Sequence, residues 1–216
     1  MLNQKILLCL SVTLLTVGGS LWAQKQPARA LDLFRTYITG DFDNTRQIAQ
    51  QQKKGTPKHP FARHINRVAN DKIRNLPPDL NGFFLLEESY YEYPGKPTDI
   101  KPYLFLFQDA GPDRVRLSVF QLPPDIPVAE VTNDNPNLSF DYHLLKPSPT
   151  FKPAEYELRG RAFYLNAPNE LGNGMRFTLI EKITKNRLEV MELLEKDGQR
   201  LTPYDTPIIY ERRRRR

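Results

Sequence analysis

The feature that most constrains this chain is the texture of its sequence from residue 61 onward. Short apolar segments, alternating or apolar on both faces, follow one another between Gly, Pro, Asn and Asp clusters. Segments 61–68, 83–93, 102–108, 115–122, 156–165, 176–183 and 188–194 read as strands, with shorter ones at 140–145 and 208–210. Asn186, between the last two long segments, fits a tight hairpin turn. In 102–108, Tyr103, Phe105 and Phe107 share one face and Leu104 and Leu106 the other, so both faces of that strand must be covered. Ahead of the strands, Leu31, Phe34 and Ile38 recur at helical spacing until Gly40. Asp43 or Asn44 then caps a second short helix through about residue 53. The expectation is a mainly β fold with two short N-terminal helices and a meander of eight or nine antiparallel strands. A barrel is favoured over a sandwich because closure leaves no free edge.

The ends carry much of the unusual composition. Lys5, an apolar run over 6–17 and the small residues Gly18, Gly19 and Ser20 have the layout of a secretory signal peptide. Cleavage is expected after Ala23, with Ala30 as a second position, and the expected location is secreted or periplasmic. A membrane anchor is the competing reading, but the run is short for a bilayer span. Residues 212–216 are all arginine and are expected to form a disordered tail, able to touch an anionic membrane surface. Of the 31 Lys and Arg residues, one lies in the leader and five in this tail, so 24–211 carries 25 against 25 Asp and Glu. A body without excess positive charge argues against nucleic-acid binding. The domain boundaries are therefore 1–23, 24–211 and 212–216.

Several chemistries have no residues to carry them. The only cysteine, Cys9, falls in the leader, which excludes a disulfide framework, a thiolate nucleophile and a cysteine metal site in the body. His59, His64 and His143 have no zinc-type spacing and read as structural or surface residues. No nucleophile elbow, phosphate-binding glycine loop or calcium loop is present, and no metal site is expected.

What remains is acidic and aromatic. Glu87 and Glu88 are adjacent in a strand and must point to opposite faces. An inward carboxylate needs a partner, and Arg116, Arg159 and Arg161 on facing strands are the candidates. Tyr90, Tyr91, Tyr93, Tyr103 and Phe105 put many rings on two neighbouring strands. They either fill the barrel or line a flat apolar pocket with hydroxyl handles. The expected site is Glu88 as general acid, Tyr91 and Tyr103 as ligand contacts, and Arg116 and Arg161 as anion partners.

Four motifs in order give this pattern a resemblance. Gly40-Asp41-Phe42-Asp43-Asn44-Thr45-Arg46-Gln47, His64-Ile65, the stretch from Asn81-Gly82-Phe83-Phe84 to Glu88-Ser89-Tyr90-Tyr91, and Pro102-Tyr103 resemble successive motifs of the CpcT/CpeT family of phycobiliprotein chromophore lyases. The colinear match covers about residues 31–110. The resemblance implies a lipocalin-like barrel that holds a linear tetrapyrrole and delivers it to a cysteine of an acceptor phycobiliprotein, without a cofactor of its own. Here Leu104-Phe105-Leu106 stand where the family has Arg-Gln-Arg, and Ser89 stands for a glutamine. With the leader, this describes an exported, divergent member that binds a tetrapyrrole or another hydrophobic ligand. The alternative is a non-enzymatic envelope protein with a filled interior, whose outer surface binds a partner; a cavity below about 300 Å3 would be its sign.

Overall fold

The computed structural model describes residues 30–213. Residues 1–29, which include the expected leader, and residues 214–216 lie outside them. Ten strands close into one antiparallel barrel. They are β1 (Gly40–Asp43), β2 (Phe61–Val68), β3 (Gly82–Glu92), β4 (Asp99–Asp109), β5 (Arg114–Phe120), β6 (Ala154–Arg159), β7 (Ala162–Gly172), β8 (Met175–Thr184), β9 (Arg187–Lys196) and β10 (Ile208–Arg212). Each pairs with its neighbours in chain order, β9 also pairs with the short strand Gln199–Arg200, and β1 joins β10. The meander expected from strand spacing is therefore complete, with two additions and one loss. Residues 40–43, read as the approach to a helix, form the closing strand. Segment 156–165 is two strands rather than one, because Gly160 at φ +62° turns the chain there. Segment 140–145 adds nothing to the barrel. Two of its residues pair in parallel with Ile73 and Arg74, and the next three form a single turn of 3-10 helix.

Helix α1 (Ala30–Ile38) closes one end of the barrel. Its buried stripe is Ala30, Phe34, Tyr37 and Ile38. The fully buried Phe34 ring packs against Phe107, Tyr156 and Phe163 at centroid distances of 4.8, 4.7 and 5.0 Å. Helix α2 (Thr45–Lys53) lies outside and buries no residue. Asp43 Oδ1 accepts from Thr45 N, while Asn44 donates to Pro60 O and accepts from Ala62 N, so Asn44 fastens the start of β2 rather than capping the helix.

The two-faced strands behave as their pattern requires. Phe83, Leu85, Phe105 and Phe107 face the interior. Phe84, Leu86, Leu104 and Leu106 face outward into a second core with Val131, Leu138 and Phe140 of the proline-rich connection 121–153. That connection is thus packed against the barrel wall.

The arginine tail begins in ordered structure. Arg212 belongs to β10, and its guanidinium donates to the carbonyls of Thr36, Tyr37, Thr39 and Lys185. Arg213 N donates to Asp41 O and its side chain pairs with Asp43 at 3.0 Å. Arg212 thereby satisfies free carbonyls at the end of α1, and Arg213 holds β1.

Replacing the plug residue, Phe34→Ala, is expected to cost about 3–5 kcal/mol, the range for a large aromatic lost from a packed core. A lower urea midpoint with unchanged slope would show it.

Candidate functional site

The barrel interior contains a cavity of about 100 Å3 between the α1 end and the opposite mouth. Ile38 belongs to its floor. Phe105, Phe107, Leu117, Val119 and Tyr156 line its wall, and Phe151, Lys152 and Phe177 stand at the mouth. The Phe151 and Phe177 rings meet edge to face at 5.6 Å. Asn169 Oδ1 accepts from Lys152 N and holds that stretch across the mouth.

Into this mainly apolar space the strands project four ionisable groups: His64 from β2, Glu87 from β3, Glu181 from β8 and Glu192 from β9. His64 Nδ1 lies 3.3 Å from Glu87 Oε2, with both side chains almost fully buried. Ser89 donates to Glu87 Oε1 at 2.9 Å. Burial works against the charge on each partner of this pair, but their mutual attraction outweighs it. Glu87 is held below the usual carboxylate range and His64 above its ordinary value. Glu181 accepts a hydrogen bond from the Tyr156 hydroxyl, yet burial pushes its carboxyl up to about 7. Glu192 is also raised, chiefly by burial. Little offsets that burial penalty, since among the described residues only His64, and Lys152 at the mouth, line the cavity with a basic side chain.

The structure sorts the expected site residues differently. Tyr103 lines the cavity, and Tyr91 faces the interior in the aromatic layer beside His64. Glu88 is not in the cavity. It is buried on the outer face, where it accepts from Asn133 N at 2.8 Å, Asn133 Nδ2 at 2.7 Å and the Tyr90 hydroxyl. Glu88 is the anchor of the outer connection, and Glu87 is the inward member of the pair. Arg116 also points outward and pairs with Glu155 at 3.1 Å, because Val115, Leu117 and Val119 take the inner face of β5. Arg161 is exposed at the tip of the β6–β7 hairpin. Arg159 is outside as well, paired with Glu157 at 2.7 Å. The inward carboxylate found its partner in His64, not in an arginine.

Glu181 and Glu192 were not singled out from the sequence, although a signal existed. Glu181 is in phase with Phe177, Leu179 and Ile183, and Glu192 with Leu188, Val190 and Leu194. A carboxylate on the apolar face of an alternating strand is an interior carboxylate. Among the described residues no group of three or more His, Cys, Asp or Glu could hold a metal ion, and no helix is long and apolar enough to cross a membrane.

No protein-family model and no curated protein matches this chain. Among solved structures it is similar to the selenomethionine form of the CRL protein of Arabidopsis, with a TM-score of 0.54 and 13% identity over 86% of this chain and 100% of that one. At that identity the likeness is one of fold. It fits a lipocalin-like barrel of the kind the four motifs implied, a fold compatible with holding a ligand inside.

Two measurements separate the roles of these acids. Glu181 has a higher affinity for its proton in the fold than in the unfolded chain. Its contribution to stability is therefore complete below pH 4.5 and is lost as pH rises through about 7. The unfolding free energy of the wild type, from urea titrations, should fall across that window by up to about 3 kcal/mol more than that of Glu181→Gln. His64 and Glu192 act with the same sign and Glu87 with the opposite one, and all three remain in the variant, so the difference reports Glu181 together with its coupling to them. Glu88→Ala should leave the cavity intact but open the connection 121–153 to limited proteolysis, at a cost of about 1–3 kcal/mol for the Asn133 backbone N–H left unsatisfied, while Asn133 Nδ2 keeps Ile65 O.

Proposed function

We propose that this protein is a ligand-binding barrel that takes an apolar molecule with polar nitrogen or oxygen groups into its interior. The observation that carries the reading is the aromatic cavity into which four strands each project an ionisable side chain. A barrel whose interior served stability alone would be filled with apolar side chains.

The finer reading is a linear tetrapyrrole, delivered to a thiol of an acceptor protein. The four colinear motifs support it, as does the absence of cysteine from residues 24–216, which leaves the acceptor thiol to the partner. In this reading the barrel acts by positioning: sulfur adds to one carbon of an exocyclic double bond and the thiol proton ends on the tetrapyrrole. Glu181, with a pKa near 7, takes the acid role in place of Glu88. The carboxylate-rich interior accepts pyrrolic N–H groups. The propionates stay at the mouth near Lys152, since Arg116 and Arg161 lie outside. The cavity must widen for so large a guest, and the Phe151–Lys152 stretch over the mouth is the part that would move. An exported location, taken from the leader, belongs to the same proposal.

One observation favours the alternative. A cavity of about 100 Å3 is below the roughly 300 Å3 at which small-molecule pockets begin. It suits a non-enzymatic barrel that meets its partner with its outer surface.

Absorbance titration of the purified protein with biliverdin, a phycobilin and haem decides between them. The expected result is a saturable shift with an open-chain tetrapyrrole, weakened at least about tenfold in Tyr103→Ala, the loss of one good interior contact. Absence of any shift removes the tetrapyrrole reading. If, in addition, no small apolar ligand binds, the filled barrel stands.

A further inference from the structure

The polar end of the cavity has a pattern of its own, and it names a chemical class of ligand. The inference rests on the ligand-binding reading above. His64 is 5% exposed, lines the cavity and keeps its Nδ1 beside Glu87. Its Nε2 has no hydrogen-bond partner, and Nδ1, though 3.3 Å from Glu87, makes no well-aligned bond either. Against the penalty of burial, the Glu87 carboxylate beside it favours the protonated ring, in which Nε2 is a buried N–H donor without an acceptor, a group that costs free energy unless something answers it. Glu192, on β9, faces the same cavity, and no donor among the described residues reaches its carboxylate. The nearby carboxylates are otherwise engaged: Glu87 takes His64 and Ser89, and Glu181 takes Tyr156. An unpartnered donor, His64 Nε2, and an unpartnered acceptor, Glu192, therefore belong to residues that line a single cavity, beside Tyr103, Phe105 and Phe107.

We infer that this end of the cavity recognises an amide edge, open-chain or cyclic, with the carbonyl oxygen accepting from His64 Nε2 and the N–H donating to Glu192. A carboxylate ligand would satisfy His64 but confront three glutamates. An ammonium would satisfy Glu192 and confront the imidazolium. A neutral group with a C=O beside an N–H satisfies both without adding charge. Size agrees: a cavity of about 100 Å3 is of the same order as the roughly 150 Å3 cavity that holds a benzene ring, room for a small ring or the head of a larger guest.

The test uses the full chain and probes of one size, titrated by protein-observed NMR: 2-pyrrolidinone, N-methyl-2-pyrrolidinone, cyclopentanone and pyrrolidine. The expected order has 2-pyrrolidinone binding at least about tenfold more tightly than the other three, the effect of one hydrogen bond to a charged group. Glu192→Leu should abolish the gap between the lactam and its N-methyl form. His64→Phe combined with Glu87→Gln, which removes the carboxylate paired with the imidazole together with it, should abolish the gap over pyrrolidine. The four-probe comparison on the unaltered protein needs no variant to fold. Equal binding across the series overturns the amide assignment and leaves the ligand-binding barrel standing. A preference for pyrrolidine also overturns it, since the wall would then read a cation. If no probe binds but a tetrapyrrole does, the amide inference alone falls. If neither binds, both readings fall together.

Discussion

The structure depends on a seam of four residues. β1 is shorter than any other strand of the barrel, yet it alone joins the first part of the meander to the last. Without it, β2 and β10 would be open edges with unpaired backbone. Because two register pairs to β10 are a weak join, side chains reinforce it. Gln47 donates to Pro207 O and accepts from Ile209 N, which pins α2 to the incoming strand. Arg212 crosses the seam to the end of α1, its guanidinium 4.6 Å from the centre of the Phe42 ring. Gly40 makes room for it: a Cβ there would lie 2.3 Å from the Arg212 guanidinium. The plug, the seam and the last strand are held together by one arginine that its sequence neighbours make look like tail.

The N-terminal motif is therefore a closure motif. Gly40, Phe42, Asn44 and Gln47 are the residues that make the stretch resemble a lyase family, and each has a closure role: clearance, core, strand anchor and clamp. A motif of that kind carries a fold. The likeness to the CRL barrel at 13% identity makes the same point from structure. Chemistry belongs to the side chains placed inside, and those vary independently of the seam.

Strand identity and order were legible because alternation and turn residues act locally. Side-chain direction was legible only where a strand has one apolar face. β3 has two, with Phe83, Leu85 and Tyr91 against Phe84 and Leu86. A one-residue change of phase therefore exchanges Glu87 for Glu88 at no visible cost. What settles the phase is the connection 121–153, whose Val131, Leu138 and Phe140 cover the outer face and whose Asn133 claims Glu88. A proline-rich stretch without periodicity gives no sign that it will do so. β5 is a different case: Arg116 alternates with Val115 and Leu117 and reads as outward from its own pattern, and only the search for an anion partner drew it inside.

The interior electrostatics make a final point about stability and use. Glu87, Glu181 and Glu192 occupy inward positions where leucine would fill the barrel, and one imidazole is too few cations for three carboxylates. Two of the acids hold their protons more tightly than in water as a result. Apolar residues at such positions are commonly neutral or stabilising, so folding alone does not call for these. At the α1 end the rings of Phe34, Phe107 and Phe163 pack together, and the buried Asn66 of β2 donates to Ile38 O. The ionisable side chains His64, Glu87, Glu181 and Glu192 line the part of the interior that has space and a mouth. That division, with a packed apolar half holding the barrel and a polar half held open at a cost to stability, is the arrangement expected when an interior must bind as well as fold.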